Sequence, residues 1–119
     1  MSHFSRLPEF ERELARLAKK YRSLPNDVLF LEKIIVVEHL GTGTNFVMLH
    51  NGEQVKIVKT RLTCHSLKRR SLRLVYAYHP DTDLFVHLEL YFKGDKENED
   101  RERIKAYLKT INDSKGTSD

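Results

Sequence analysis

Over PEFERELARLAKKYR the apolar positions Phe10, Leu14, Leu17, Ala18 and Tyr21 recur at helical spacing and share one side. Pro8 suits the opening turn, where its missing N–H costs nothing, and Glu9 and Glu11 at the start with Lys19, Lys20 and Arg22 at the end match the helix dipole. The preceding HFSRL can form a short strand. SLPND breaks the pattern and opens a second helix from Asn26 to Leu40, apolar on most sides and ending before Gly41, a candidate left-handed C′ residue. Such a helix is expected to lie buried between two layers. Its IIVV run leaves a strand as the alternative, but its length and its Pro/Gly punctuation favour helix.

Beyond GTGT the spacing becomes that of strands. NFVMLHNGEQVKIVKTRL predicts two of them around Asn51-Gly52, a pair suited to a type I′ hairpin turn. LRLVYAYH and LFVHLELYF, rich in branched and aromatic residues, predict two more across the turn PDTD. Strict alternation in the last strand sends Leu84, Val86, Leu88, Leu90 and Phe92 one way and Phe85, His87, Glu89 and Tyr91 the other. In EDRERIKAYLKTIN, Ile104, Tyr107, Leu108 and Ile111 form a narrow apolar stripe, with Asn98 or Asp100 as the N-cap.

The order is therefore β-α-α-(β)-β-β-β-α. It predicts an α+β domain over residues 1–112: an antiparallel sheet of about four strands, an N-terminal helical hairpin packed on one face, and a C-terminal helix. With the helices on one face, the other face is left open. Residues 113–119, DSKGTSD, are expected to form a flexible tail.

A length of 119 residues suits one domain. Cys64 is the sole cysteine, which rules out an internal disulfide and favours a reducing, cytoplasmic setting. Neither Cys64-His65 nor the scattered histidines have metal-ligand spacing, so no metal or cofactor is expected. The run VLFLEKIIVV is interrupted by Glu32 and Lys33 and is too short to span a bilayer, and the start lacks a signal-peptide core, so no membrane role is expected.

Charge changes the picture. The formal net charge is only +4, yet KIVKTRLTCHSLKRRSLR, residues 56–73, carries seven of the 21 Lys/Arg and no carboxylate; the remaining 14 cations against 17 Asp/Glu leave −3. A local cationic surface implies a local anionic partner. Strand alternation puts Lys59 and Arg61 on one face and turns Arg73 away from Leu72, Leu74, Tyr76 and Tyr78, opposite Glu89 or Tyr91. The open face is thus expected to carry Lys59, Arg61, Arg73, His87, Glu89, Tyr91 and Lys93. Cleavage of RNA through its 2′-hydroxyl needs a proton acceptor, cations around the phosphate and an acid for the leaving oxygen. Glu89, His87 or a lysine fits proton transfer, Arg73, Arg61 and Lys59 fit the phosphate, and Tyr91 or Phe85 fits base stacking. A solvated, salt-bridged sheet face is the plain alternative.

Taken in order, FSRLPEFERELARLAKKYRSLPND, VKTRL, SLRLVYAY and LELYFKGDKENE resemble the opening strand and helical hairpin, first basic strand, arginine signature strand and last strand of the RelE/ParE superfamily of type II toxins, RelE-like branch. The resemblance implies a toxin that enters the ribosomal A site and cuts mRNA, held in check by an acidic antitoxin protein. It places Lys59 and Arg61 on the basic strand, Arg73 on the arginine that contacts the scissile phosphate, and Lys93 where the family often has arginine. TCHSLKRRS is a longer connection than the family's loop, and its Lys68, Arg69 and Arg70 are expected to add RNA contacts. The chain has no convincing equivalent of the C-terminal catalytic tyrosine found in some members, and Glu89 and His87 are the expected substitutes. ParE-like relatives share the fold and poison gyrase without cutting RNA, which keeps a non-enzymatic interaction protein, either a gyrase inhibitor or a decayed toxin that only binds an antitoxin, as the second reading.

Overall fold

Two apolar sets alternate along the central strands, and the fold covers both. The computed structural model describes residues 2–38, 45–67 and 71–116. Its elements are β1 (His3–Arg6), α1 (Pro8–Ala18), α2 (Leu24–Glu38), β2 (Phe46–Asn51), β3 (Lys56–Thr63), β4 (Ser71–His79), β5 (Leu84–Phe92) and α3 (Arg101–Gly116). The strands form one five-stranded sheet in the order β1-β5-β4-β3-β2. β2 to β5 are antiparallel neighbours, whereas β1 runs parallel to β5, with Phe4 beside Phe85 and Arg6 beside His87. The sheet is therefore mixed and has one strand more than expected. After β1 the helical hairpin carries the chain across the sheet, and three antiparallel steps bring it back beside its start.

Pro8 opens α1 with Glu9 and Glu11 in the first turn, and Phe10, Leu14 and Leu17 are buried, as the spacing predicts. They join Val28, Leu31 and Ile35 of α2 against Val58, Leu62, Leu72, Leu74, Tyr76, Phe85 and Leu90. The outer side of α2 is bare: Leu29, Phe30 and Val37 are exposed, so the expected burial between two layers does not hold. The reason lies on the other side of the sheet, where Ile57, Val75, Ala77, Val86 and Leu88 form a second apolar set. Ile104, Tyr107, Leu108 and Ile111 of α3 cover that set, which puts α3 opposite the hairpin rather than beside it. Asp100 caps α3, its carboxylate accepting the Arg103 N–H at 3.1 Å. Residues 113–116, expected in the tail, continue the helix.

β5 does not alternate strictly. Val75 pairs with Glu89 and Tyr76 with His87, so Leu88 is an extra residue in a β-bulge. A one-residue slip exchanges faces. Phe85, Leu90 and Phe92 accordingly pack on the hairpin side, and Leu84, Val86, Leu88 and Tyr91 on the α3 side, which corrects the two rows expected from the sequence. The β2–β3 turn also lies further on than expected: Gly52 N–H donates to the Val55 carbonyl at 3.1 Å, which centres the turn on Glu53-Gln54. At the β4–β5 turn Asp83 has φ 52°, and its backbone carbonyl and carboxylate receive hydrogen bonds from His3 N–H and the Ser2 hydroxyl. Gly41 and the Lys68, Arg69, Arg70 cluster lie outside the described residues. Among the described residues no helix is long and apolar enough to cross a membrane.

Candidate nucleic-acid interface

The α3 side of the sheet has two ends. At one, α3 packs on Val55, Ile57, Ala77 and Val86; at the other, β3 and β4 bring Arg61 directly opposite Arg73, and Arg73 directly opposite Tyr91 on β5. Lys59, two residues along β3, shares this face. The expected placement of Lys59, Arg61 and Arg73 together, with Tyr91 across the β4–β5 pair, is what the register produces. Like charges directly opposed on a sheet repel unless an anion lies between them. Arg61 is exposed and has no carboxylate partner among the described residues. Lys59, by contrast, donates to Glu99 Oε1 at 2.9 Å. Burial pushes the Glu99 carboxyl up, but the hydrogen bond and charge of Lys59, together with Arg101, outweigh it and hold Glu99 below the usual carboxylate range.

The segment between β5 and α3 rims this end of the sheet. Glu89, 2% exposed at its side chain, accepts the Asp100 N–H at 2.8 Å through Oε1 and pairs with Lys96 through Oε2. Both carboxylate oxygens are thereby engaged in holding the segment down. Beyond β1 the free edge of β5 needs partners for its backbone, and a side-chain pair supplies them. Glu13 accepts the Leu90 N–H at 3.0 Å, while Arg103 donates to the Leu88 carbonyl at 2.8 Å and forks onto both oxygens of Glu13 at 2.9 Å. Lys96, Glu99 and the Glu13–Arg103 staple were not singled out by sequence reasoning. The only signal was the dense charge of KGDKENEDRER, which reads equally well as a solvated turn.

Tyr91 is 3% exposed, and its hydroxyl has no hydrogen-bond partner among the described residues. Burial first, then Glu99 and Glu89, push its pKa up to about 12 against the opposing pull of Arg73. With Lys96 Nζ 5.0 Å from its ring, Tyr91 is a covered floor rather than a stacking platform. Phe85 cannot serve as one either, being fully buried in a stack between Phe4 and Tyr78, with centroids at 4.9 and 4.6 Å.

His87 is not on this face. The bulge turns it under the helical hairpin, fully buried between Phe4 and Phe10, where Nε2 donates to Glu32 Oε2 at 2.9 Å. Sequence alternation had grouped it with Arg73; the sheet now lies between them. Lys93 is exposed in the turn after β5. Lys68, Arg69 and Arg70 lie outside the described residues.

No family model matches the chain, and no curated protein matches it. Among solved structures it is similar to a chain of the archaeal RelE-RelB complex from Pyrococcus horikoshii OT3, with a TM-score of 0.60 and 14% identity over 80% of this chain and 98% of that one. At that identity the likeness is one of fold, and the fold of this chain is RelE-like.

Proposed function

We propose that the chain is the toxin of a type II toxin–antitoxin pair and inhibits translation by ribosome-dependent cleavage of mRNA. The single observation that carries this reading is the Arg61–Arg73 pair, set at the uncovered end of a RelE-like sheet with Lys59 beside it. Two arginines opposite one another across a strand pair can converge on a phosphodiester, and a preorganised cation pair favours the crowded phosphate of the transition state. Arg73 stabilises that charge, Arg61 and Lys59 hold the backbone, and Lys93 with Lys68, Arg69 and Arg70 extends the contact along the RNA. Glu89 acts by ordering the rim through Lys96 and Asp100.

The partner reading has its own support. The solved neighbour belongs to a RelE-RelB complex, and this chain leaves Leu29, Phe30 and Val37 of α2 exposed with Val47 and Met48 of β2. An acidic amphipathic antitoxin segment fits an apolar patch on a chain with a cationic stretch. A non-enzymatic interaction protein remains the second reading, favoured by one observation: Glu89 is engaged, Tyr91 is covered and His87 is on the far face, so none offers a free base beside Arg73.

Adding the purified chain to translating ribosomes and mapping mRNA ends by primer extension separates the two. New ends within the A-site codon, with ribosome binding that weakens steeply as salt rises, are expected. Intact mRNA on ribosomes that bind the chain supports the second reading.

A further inference from the structure

Three carboxylates are buried among the described residues, Asp27, Glu89 and Glu99, and they differ in what they hold. Asp27 ties α2 to the segment after β3, accepting the His65 backbone N–H at 3.1 Å and pairing with the His65 ring. Glu89 ties the rim to β5 by accepting the Asp100 N–H at 2.8 Å. Among the described residues Glu99 accepts only its own backbone N–H and the side-chain cations Lys59 and Arg101, so it secures no other stretch of main chain. Burying a carboxylate is costly and needs a reason. Residues 93–98 of the rim are all exposed, and Glu99, 5% exposed at its side chain, is the residue turned inward to meet Lys59 at 2.9 Å.

Lys59 stands two residues from Arg61 on the same face of β3, about 7 Å by the rise of a strand, and Arg61 lies directly opposite Arg73. A lysine side chain spans that gap. Lys59 can therefore serve either Glu99 or a phosphate lying over Arg61, but its one positive charge cannot match both. The Lys59–Glu99 pair is neutral as a whole, so while it is closed the face attracts an anion less strongly than its run of cations suggests.

We propose that Glu99 is an internal competitor for RNA at this face: it holds Lys59 in the free protein, and an RNA phosphate must take the lysine from it. The assignment rests on the RNA reading above and adds to it the regulation of the same site. Binding exchanges one anion for another at Lys59, with no covalent bond made or broken. Arg101, 78% exposed with Nε 3.6 Å from Glu99, remains beside the carboxylate once the lysine leaves. The exchange also sets the salt dependence. Handing Lys59 from carboxylate to phosphate releases few counterions, because the freed carboxylate gathers a cation as the phosphate sheds one.

The test uses the full chain and a short single-stranded RNA methylated at its 2′-hydroxyls, which binds without being cut, at several salt concentrations. Glu99→Gln keeps an oxygen for Lys59 and deletes the charge, whereas Glu97→Gln deletes the same charge from the exposed part of the rim. Glu99→Gln is expected to fold and to bind the RNA on the order of tenfold more tightly at low salt, with a log–log salt slope steeper by about 0.7, the increment for one further phosphate contact on a single strand. Glu97→Gln should bind like the parent. The parent gives a second readout that needs no variant: the side-chain carboxyl carbon resonance of Glu99 should shift as the RNA is added. The competitor assignment is overturned by a resonance unmoved at saturating RNA, by unchanged or weaker affinity in folded Glu99→Gln, by an equal gain in Glu97→Gln, or by a parent that binds no RNA at low salt. In each of these cases A-site cleavage by the parent on translating ribosomes leaves the toxin reading standing, and its absence removes that reading too.

Discussion

The two ends of the α3 side of the sheet are built on the same strands and differ in cover and charge. At one end Ile57, Val75, Ala77, Val86 and Leu88 are sealed by α3. At the other, Lys59, Arg61 and Arg73 stand where helix cover stops, rimmed by a segment pinned through Glu89 and Glu99. Apolar area removed from water stabilises the first end, at roughly 25 cal/mol per Å². The second end, cationic and without helix cover, gains nothing comparable from apolar burial. The lesson is that apolar cover and cationic surface divide along the length of β3 and β4 rather than between one face and the other.

That division can be tested from the strongest effect downward. Leu88→Ala removes a fully buried side chain beneath α3 and is expected to cost about 3 kcal/mol in urea denaturation while leaving the activity of the folded fraction unchanged. A cost below about 1 kcal/mol would mean that α3 is not the cover described. Glu99 sharpens the other end. Its carboxyl is held below its ordinary value in the fold, so its contribution is present above the unfolded pKa and fades as pH falls through the folded one. Glu99→Gln should flatten the acid limb of a stability–pH curve and free Lys59, with an effect of about 1 kcal/mol at neutral pH. An unchanged acid limb would remove the Lys59–Glu99 pair from the account. The smallest effect belongs to Tyr91→Phe. Deleting a buried hydroxyl that has no partner among the described residues should change stability by less than about 1 kcal/mol and leave cleavage intact, which thermal melts and the ribosome assay would check together.

Much of this was legible in the chain and some was not, for physical reasons. Pro8 and the spacing of Phe10, Leu14 and Leu17 specify α1 locally, and Asp100 with an N–H three residues on specifies the start of α3. Arg73 could be aimed away from the core because its neighbours Leu72 and Leu74 are unambiguous, but the register set by the turn alone would put it opposite Leu90, and the bulge is what brings Tyr91 across from it. LFVHLELYF, by contrast, is apolar in either alternation, so nothing in its composition marks Leu88 as the extra residue that turns His87 under the hairpin. The side of the sheet taken by α3 depended on reading Ile57, Val75 and Ala77 as a second core rather than as strand filler. The Glu13–Arg103 staple joins residues 90 apart and the Asp27–His65 pair residues 38 apart, distances at which side-chain chemistry has no local periodicity to reveal it.

The central claim, that the uncovered end of the sheet acts on a phosphodiester, is tested most directly by Arg73→Ala in the primer-extension assay on translating ribosomes. The half-buried Arg73 contributes little to the core, so the variant should melt within about 1 kcal/mol of the parent in stability and still bind ribosomes. Its cutting of A-site mRNA should fall on the order of a hundredfold or more, the scale for losing one preorganised electrostatic donor. A folded, ribosome-bound Arg73→Ala protein that cuts at the parent rate would contradict the account.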